Sequence, residues 1–208
     1  MSSSRLGRDF YARDTLDVAR ELLGKRLVRV IDGERLSGLI VETEAYIGEE
    51  DRACHASRGR TPRTEVMYGP PGHAYVYFTY GSHWLFNTVT QPAGQPEAVL
   101  IRAIMPTAGL DRIESRRGRQ PRKHWTDGPG KLTQALGIDG AFNRLDLSAQ
   151  NAEIIIEKGV TIPTDFVTTS PRIGLNSVPE PWKSKPWRFL ALLPPDQAYA
   201  IIKPEEEL

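Results

Sequence analysis

Two carboxylates and a tyrosine recur at every second position in the stretch "IVETEAYIGEEDRACH", residues 40–55. If residues 39–46 form a strand, side chains alternate between its faces. Leu39, Val41, Thr43 and Ala45 then share one face, and Ile40, Glu42, Glu44 and Tyr46 share the other. Successive side chains on a face stand roughly 7 Å apart. An ordinary strand carries such acids on a solvated face. Arg102 argues otherwise, because it interrupts the apolar run "AVLIRAI", where a guanidinium needs a carboxylate or a wet cleft. Glu42 and Glu44 are the candidate partners. The group is either a structural ion pair or a water-holding one, with a carboxylate that deprotonates the water, as hydrolysis of a glycosidic bond requires.

Aromatic residues gather around these charges: Tyr46, Tyr75, Tyr77, Tyr80, Trp84 and Phe86. Strand aromatics are mostly core, but tyrosines beside carboxylates and basic loops also suit stacking on a nucleobase. The formal net charge of +1 gives no case for a polyanionic partner. Its distribution does. Arg112, Arg116, Arg117, Arg119, Arg122 and Lys123 stand against the single acid Glu114 in "RIESRRGRQPRKH", and Arg52, Arg58, Arg60 and Arg63 form a second run. Clustered charge of this kind attracts phosphates, or else simply solvates a loop.

The elements that must position these residues are readable in outline. Asp14 caps a helix over "DTLDVARELLG", which Gly24 ends. Asp32-Gly33 signals a tight hairpin turn between two strands. "GHAYVYFTYGSHWLFNTVT" predicts a second hairpin turning near Gly81, and "EAVLIRAIMP" another strand. "GPGKLTQALG" predicts a short helix closed by Gly137. "EIIIEK" and "WRFLALL" are short β-like pieces among proline-rich turns. The 208 residues therefore predict a single α+β domain around an antiparallel sheet with flanking helices. The lone Cys54 forms no internal disulfide, and the N-terminus lacks a signal-peptide core. A cytoplasmic protein without membrane spans is expected. Cys54, His55, His73 and His83 do not match a zinc spacing, so no metal is expected.

"VETEAYIGEEDRACH", "TPR", "YVYFTYGSHWLFN", "VLIRA" and "GPGKLTQAL", in this order, resemble the methylpurine (alkyladenine, 3-methyladenine) DNA glycosylase family, from about residue 8 to about residue 190. The resemblance implies a single mixed domain, residues 1–208, around a curved antiparallel sheet, working as a monomer on double-stranded DNA containing damaged purines. It implies monofunctional chemistry with no metal or organic cofactor, and in a prokaryote an association with the nucleoid. By position, Glu44 corresponds to the glutamate that activates water and Arg102 to the arginine that helps hold it. Tyr46, His55 and Tyr77 correspond to the residues that sandwich a flipped base, Tyr80 to the wedge in the duplex, and Asn87 to the pocket-floor asparagine. Arg60, Arg63 and Lys131 are the expected DNA contacts, with Gly128–Gly130 before a helix as a phosphate cradle. A binding module without catalysis and a hydrolase of free nucleosides are the alternatives. Glu44, Arg102 and Asn87 argue against the first; Tyr80 and the basic runs argue against the second.

Overall fold

The computed structural model describes residues 4–79 and 81–192. Tyr80 and the acidic C-terminal residues lie outside that range. The described chain is an α+β domain whose sheet consists of β1 (Arg26–Ile31), β2 (Glu34–Ile47), β3 (Ala74–Thr79), β4 (His83–Thr90), β5 (Glu97–Ala108), β6 (Ile154–Glu157), β7 (Val167–Ser170) and β8 (Arg188–Ala191). All pairings are antiparallel, in the order β3-β4-β5-β2-β1-β6; β8 pairs with both β2 and β7. Beside Glu42–Glu44, β8 occupies the edge that β1 covers earlier along β2. Helices α1 (Arg8–Tyr11), α2 (Thr15–Glu21), α3 (Leu110–Arg117) and α4 (Pro129–Leu136) flank the sheet.

Local chemistry explains the elements. The Asp14 side chain accepts from the backbone N–H groups of Leu16 at 2.9 Å and Asp17 at 3.2 Å, satisfying donors at the start of α2 that lack helical partners. Asp32 (φ 53°) and Gly33 (φ 81°) form the tight β1–β2 turn in the left-handed region that this pair tolerates. In β3, Ala74 and Val76 enter the main core while Tyr75 and Tyr77 belong to a smaller cluster with Cys54, Met67 and Ala98. The sheet thus buries one face under α2 and α4 residues such as Val18, Ala19, Leu132 and Ala135 and leaves the other for the site. A fully buried Val or Leu side chain such as Val18 or Leu132 contributes about 2 kcal/mol by burial, an alanine methyl less than about 1 kcal/mol.

The strict alternation expected along β2 does not hold. Ile40 pairs with Ile104, Glu42 with Ala103 and Thr43 with Ile101, so Val41 has no partner on β5 and Arg102 has none on β2. An unpaired residue bends a strand and shifts its side-chain phase. Ile40 consequently lies in the main core together with Ala45, and only Glu42, Glu44 and Tyr46 keep the other face.

The basic stretch 112–124 is not the irregular loop its composition suggests. It contains most of α3 and a 3-10 turn, Arg122–His124, and Arg112 binds Asp32 at 2.9 Å and Glu34 at 3.1 Å. No described helix is long and apolar enough to cross a membrane.

Candidate active site

Residues directly opposite each other on adjacent antiparallel strands project to the same face. Tyr75 on β3, Asn87 on β4, Leu100 on β5, Glu44 on β2 and Arg188 on β8 form one such row. Tyr46, Ala98 and Val89 form a neighbouring one. Tyr75, Asn87 and Leu100 of the first row and Tyr46 and Ala98 of the second line a cavity of about 620 Å³, together with His55, Tyr77, Arg102 and Lys131, while Glu44 is buried behind that lining. Strand pairing thereby gathers residues more than fifty positions apart in the chain.

Glu44 has no exposed surface. Its Oε1 accepts from the backbone N–H of Ile173 at 2.7 Å, and its Oε2 from Tyr46 Oη at 2.8 Å. Arg102 Nε stands 3.4 Å from Glu44 Oε1 but 2.8 Å from Glu42 Oε1. Glu42 Oε1 also accepts from Arg188 Nε at 2.6 Å. Two guanidinium groups therefore share Glu42, and the closer bond of Arg102 is not to the buried acid. Desolvation raises the Glu44 pKa above the usual carboxylate value, opposed by the Arg102 charge, the Ile173 N–H and the Tyr46 hydroxyl. The arrangement suits a general base, since a raised pKa makes the ionised carboxylate a stronger proton acceptor.

The aromatic wall is built around His55. Its Nδ1 shares a 2.8 Å hydrogen bond with Tyr75 Oη, and its ring meets Tyr77 edge-on with centroids 4.6 Å apart. Burial and the nearby positive charges of Arg63 and Arg58 lower its pKa to about 4, which keeps it neutral at physiological pH. The Arg63 guanidinium lies 5.0 Å over the Tyr77 ring. Asn87 donates through Nδ2 to the Tyr75 carbonyl at 2.9 Å, which fixes its amide on the cavity floor. Cys54 also lines the cavity, but burial pushes its thiol up to about 12.

On another side, Gly128–Lys131 at the start of α4 line the cavity. A Cβ on Gly130 would lie 2.9 Å from the His83 ring, so glycine lets the helix start against that wall. Lys131 Nζ binds Asp127 at 2.7 Å. Arg60 binds Glu65 through two hydrogen bonds, at 2.7 and 2.6 Å, and does not line the cavity. Two of the three basic residues expected at DNA, Lys131 and Arg60, thus have acidic partners, while the third, Arg63, lies over the Tyr77 ring. Gly81 takes φ 67° in the β3–β4 turn, and Phe78 beside it is 45% exposed; the expected wedge, Tyr80, lies outside the described residues.

Sequence reading missed four participants: Arg188, Ile173, Arg172 and Asp51. Arg188 lies in the recognised run "WRFLALL", yet no local pattern pairs it with Glu42 across 146 positions.

Comparison with known proteins bears on what these residues do. The sequence profile described as methylpurine-DNA glycosylase matches residues 9–193. A protein of Carboxydothermus hydrogenoformans, provisionally named a 3-methyladenine DNA glycosylase, is 50% identical over 184 residues, covering 88% of this chain and 93% of that protein. Proteins with the same provisional name from Desulfitobacterium hafniense and Methanocella arvoryzae are 44% and 48% identical. The alignments cover 96% of this chain and 99% of the first, and 88% of this chain and 90% of the second.

Proposed function

The chain belongs to the methylpurine-DNA glycosylase family and is an enzyme of the DNA glycosylase class; from that premise we propose that it hydrolyses the N-glycosidic bond of alkylated or deaminated purines flipped out of duplex DNA. The substrates of this reading are 3-methyladenine, 7-methylguanine, hypoxanthine and ethenoadenine. The observation that carries it is the buried Glu44 carboxylate facing Arg102, directly beside a cavity walled by Tyr46, His55 and Tyr77.

In this reading Glu44 takes a proton from a water as the glycosidic bond breaks, and its charge faces the oxocarbenium-like sugar. Arg102, tethered to Glu42, helps hold that water. The base lies among the rings of Tyr46, His55 and Tyr77. A purine alkylated at N3 or N7 is cationic, so it stacks favourably on tyrosine faces and meets no repulsion from a neutral His55. Extrusion costs a few kcal/mol, least for damaged or mispaired bases. Stacking and a wedge at Tyr80 offset that cost. Asn87 occupies the floor, and Arg60, Arg63 and Lys131 contact phosphates, with the enzyme acting as a monomer that starts base excision repair.

The test is incubation with duplex oligonucleotides carrying one hypoxanthine or one ethenoadenine, followed by alkali to reveal abasic sites. Breaks at the modified position are expected only after alkali. Intact strands after alkali for every such substrate would sink the reading. No lysine in the cavity is positioned by this reading as a nucleophile, so borohydride is expected to trap no covalent adduct.

A further inference from the structure

We infer that Arg172 is a positioning residue for water activation: locked to Asp51, it sets the two donors, the Ile173 N–H and Tyr46 Oη, that grip the Glu44 carboxylate. The inference rests on the reading of Glu44 as the base. The side chains of Arg172 and Asp51 have no exposed surface. Arg172 Nη2 donates to Asp51 Oδ1 at 2.9 Å, and Nη1 bonds the other carboxylate oxygen. Asp51 also accepts from the backbone N–H groups of Ile47 at 3.1 Å and Ala53 at 3.0 Å, which ties the pair to the end of β2.

Two routes lead from this guanidinium to Glu44. Ile173 follows Arg172 directly, and its own side chain is 50% exposed, so packing of that side chain does not fix its N–H; its neighbour does. On the other route, Arg172 Nη1 donates to the Ala45 carbonyl at 2.9 Å, between Glu44 and Tyr46, and the guanidinium lies 4.7 Å over the Tyr46 ring. The Trp187 ring packs on it at 5.0 Å. A buried ion pair is weak support for stability alone, because desolvation offsets its attraction. A defined geometry for both donors is a better account of it.

The charged and titratable groups around Glu44 are Glu42 and Tyr46 on β2, Arg102 on β5, Arg188 on β8 through Glu42, and Arg172 beyond Tyr46. Hydrogen bonds to a carboxylate favour its ionised form. Loosening both donors therefore makes Glu44 harder to ionise, and the rise of base release with pH must move to higher pH.

The experiment measures single-turnover hypoxanthine release against pH for wild type, Arg172→Lys and Asp51→Asn. Lysine keeps the positive charge and loses the planar fork, so a shift in that variant reports geometry rather than charge. The acid limb is expected to move up by about one pH unit in Arg172→Lys and by less in Asp51→Asn, with DNA affinity unchanged. Ile156→Ala, a cavity in β6 away from the site, lowers stability and should keep the wild-type limb. Limbs coincident with wild type in the folded variants would overturn the inference. If Arg172→Lys does not fold, Asp51→Asn decides alone, and a coincident limb there overturns it. Where wild type does not release hypoxanthine the same profiles are measured on ethenoadenine, and release of neither base at any pH would instead overturn the assigned reaction.

Discussion

Asn87 and Glu44 stand in one cross-strand row with only Leu100 between them, because Leu100 pairs with both. Two strand spacings separate them by roughly 10 Å, so one ligand can meet the acid and the amide at once. Guanine carries an exocyclic N2 amino group that adenine and hypoxanthine lack, and an amide held by the Tyr75 carbonyl fills space that this group would need. Asn87→Ser is expected to keep hypoxanthine release within about tenfold, or 1.4 kcal/mol, while raising guanine release, most visibly from mismatches. Measured release rates from paired substrates decide it: an unchanged guanine-to-hypoxanthine ratio would return Asn87 to a purely structural role.

Glu44→Gln should abolish most base release yet leave the protein at least as stable as wild type near neutral pH. The folded-state pKa of Glu44 is raised above its ordinary 4.5 by burial. Its contribution to stability is therefore fully present below about 4.5 and is lost as pH rises through the raised value. Glutamine does not ionise, so the variant's advantage should open from pH 4.5 upward. Urea unfolding at pH 5 and pH 8 checks this, and a variant less stable at pH 8 than at pH 5, relative to wild type, contradicts it.

Glu42→Gln should behave in the opposite way. It leaves Arg102 and Arg188 sharing a neutral amide where each had a carboxylate at 2.8 and 2.6 Å, a loss of about 2 kcal/mol. Activity should fall less than in Glu44→Gln. A dead Glu42 variant beside an active Glu44 variant would reverse the assignment within "ETE".

His55 gives a separate acid signature. Its folded pKa is depressed to about 4 from 6.5, so between these values the unfolded chain binds a proton that the folded chain refuses. Stability is therefore lost as pH falls across this window, by at most about 3 kcal/mol. Subtracting the His55→Gln profile from wild type should isolate that slope. An NMR titration of the His55 ring with a midpoint near 6.5 would refute it.

Salt dependence should separate the basic residues. If Lys131 meets a phosphate, Lys131→Ala reduces the slope of log affinity against log salt by about one. Arg112→Ala should leave the slope unchanged, because that guanidinium is engaged by Asp32 and Glu34. Equal effects from both would place the phosphate contacts elsewhere.

Local signals made much of this fold legible. Asp14, Asp32-Gly33 and Gly137 act through hydrogen bonds and φ values within a few residues, so α2, the β1–β2 turn and the end of α4 stand where the sequence predicts. Glu44, Arg102 and the aromatic residues, named by position from the family resemblance, lie together in the structure. Pairings at long range were not legible: Arg188 with Glu42, or Arg172 with Asp51, leave no periodic trace. The unpaired Val41 was hidden too, because Ile40 and Val41 are both apolar and either could face the core.

Val41 and Arg102, unpaired on opposite strands, cancel in length but not in phase. Each reverses which of its strand's faces is inward, so Ile40 and Ile104 before the irregularity and Ala45, Val99 and Ile101 after it all reach the same core. With Val41 paired regularly, the strand would carry the phase of Ile40 onward, turning Glu42, Glu44 and Tyr46 toward that core and presenting Thr43 and Ala45 to the cavity, with every one of those residues still in the chain. The irregular pairing between Ile40 and Thr43 thus belongs to the active site as a shape of the backbone, independent of the side chains that fill it.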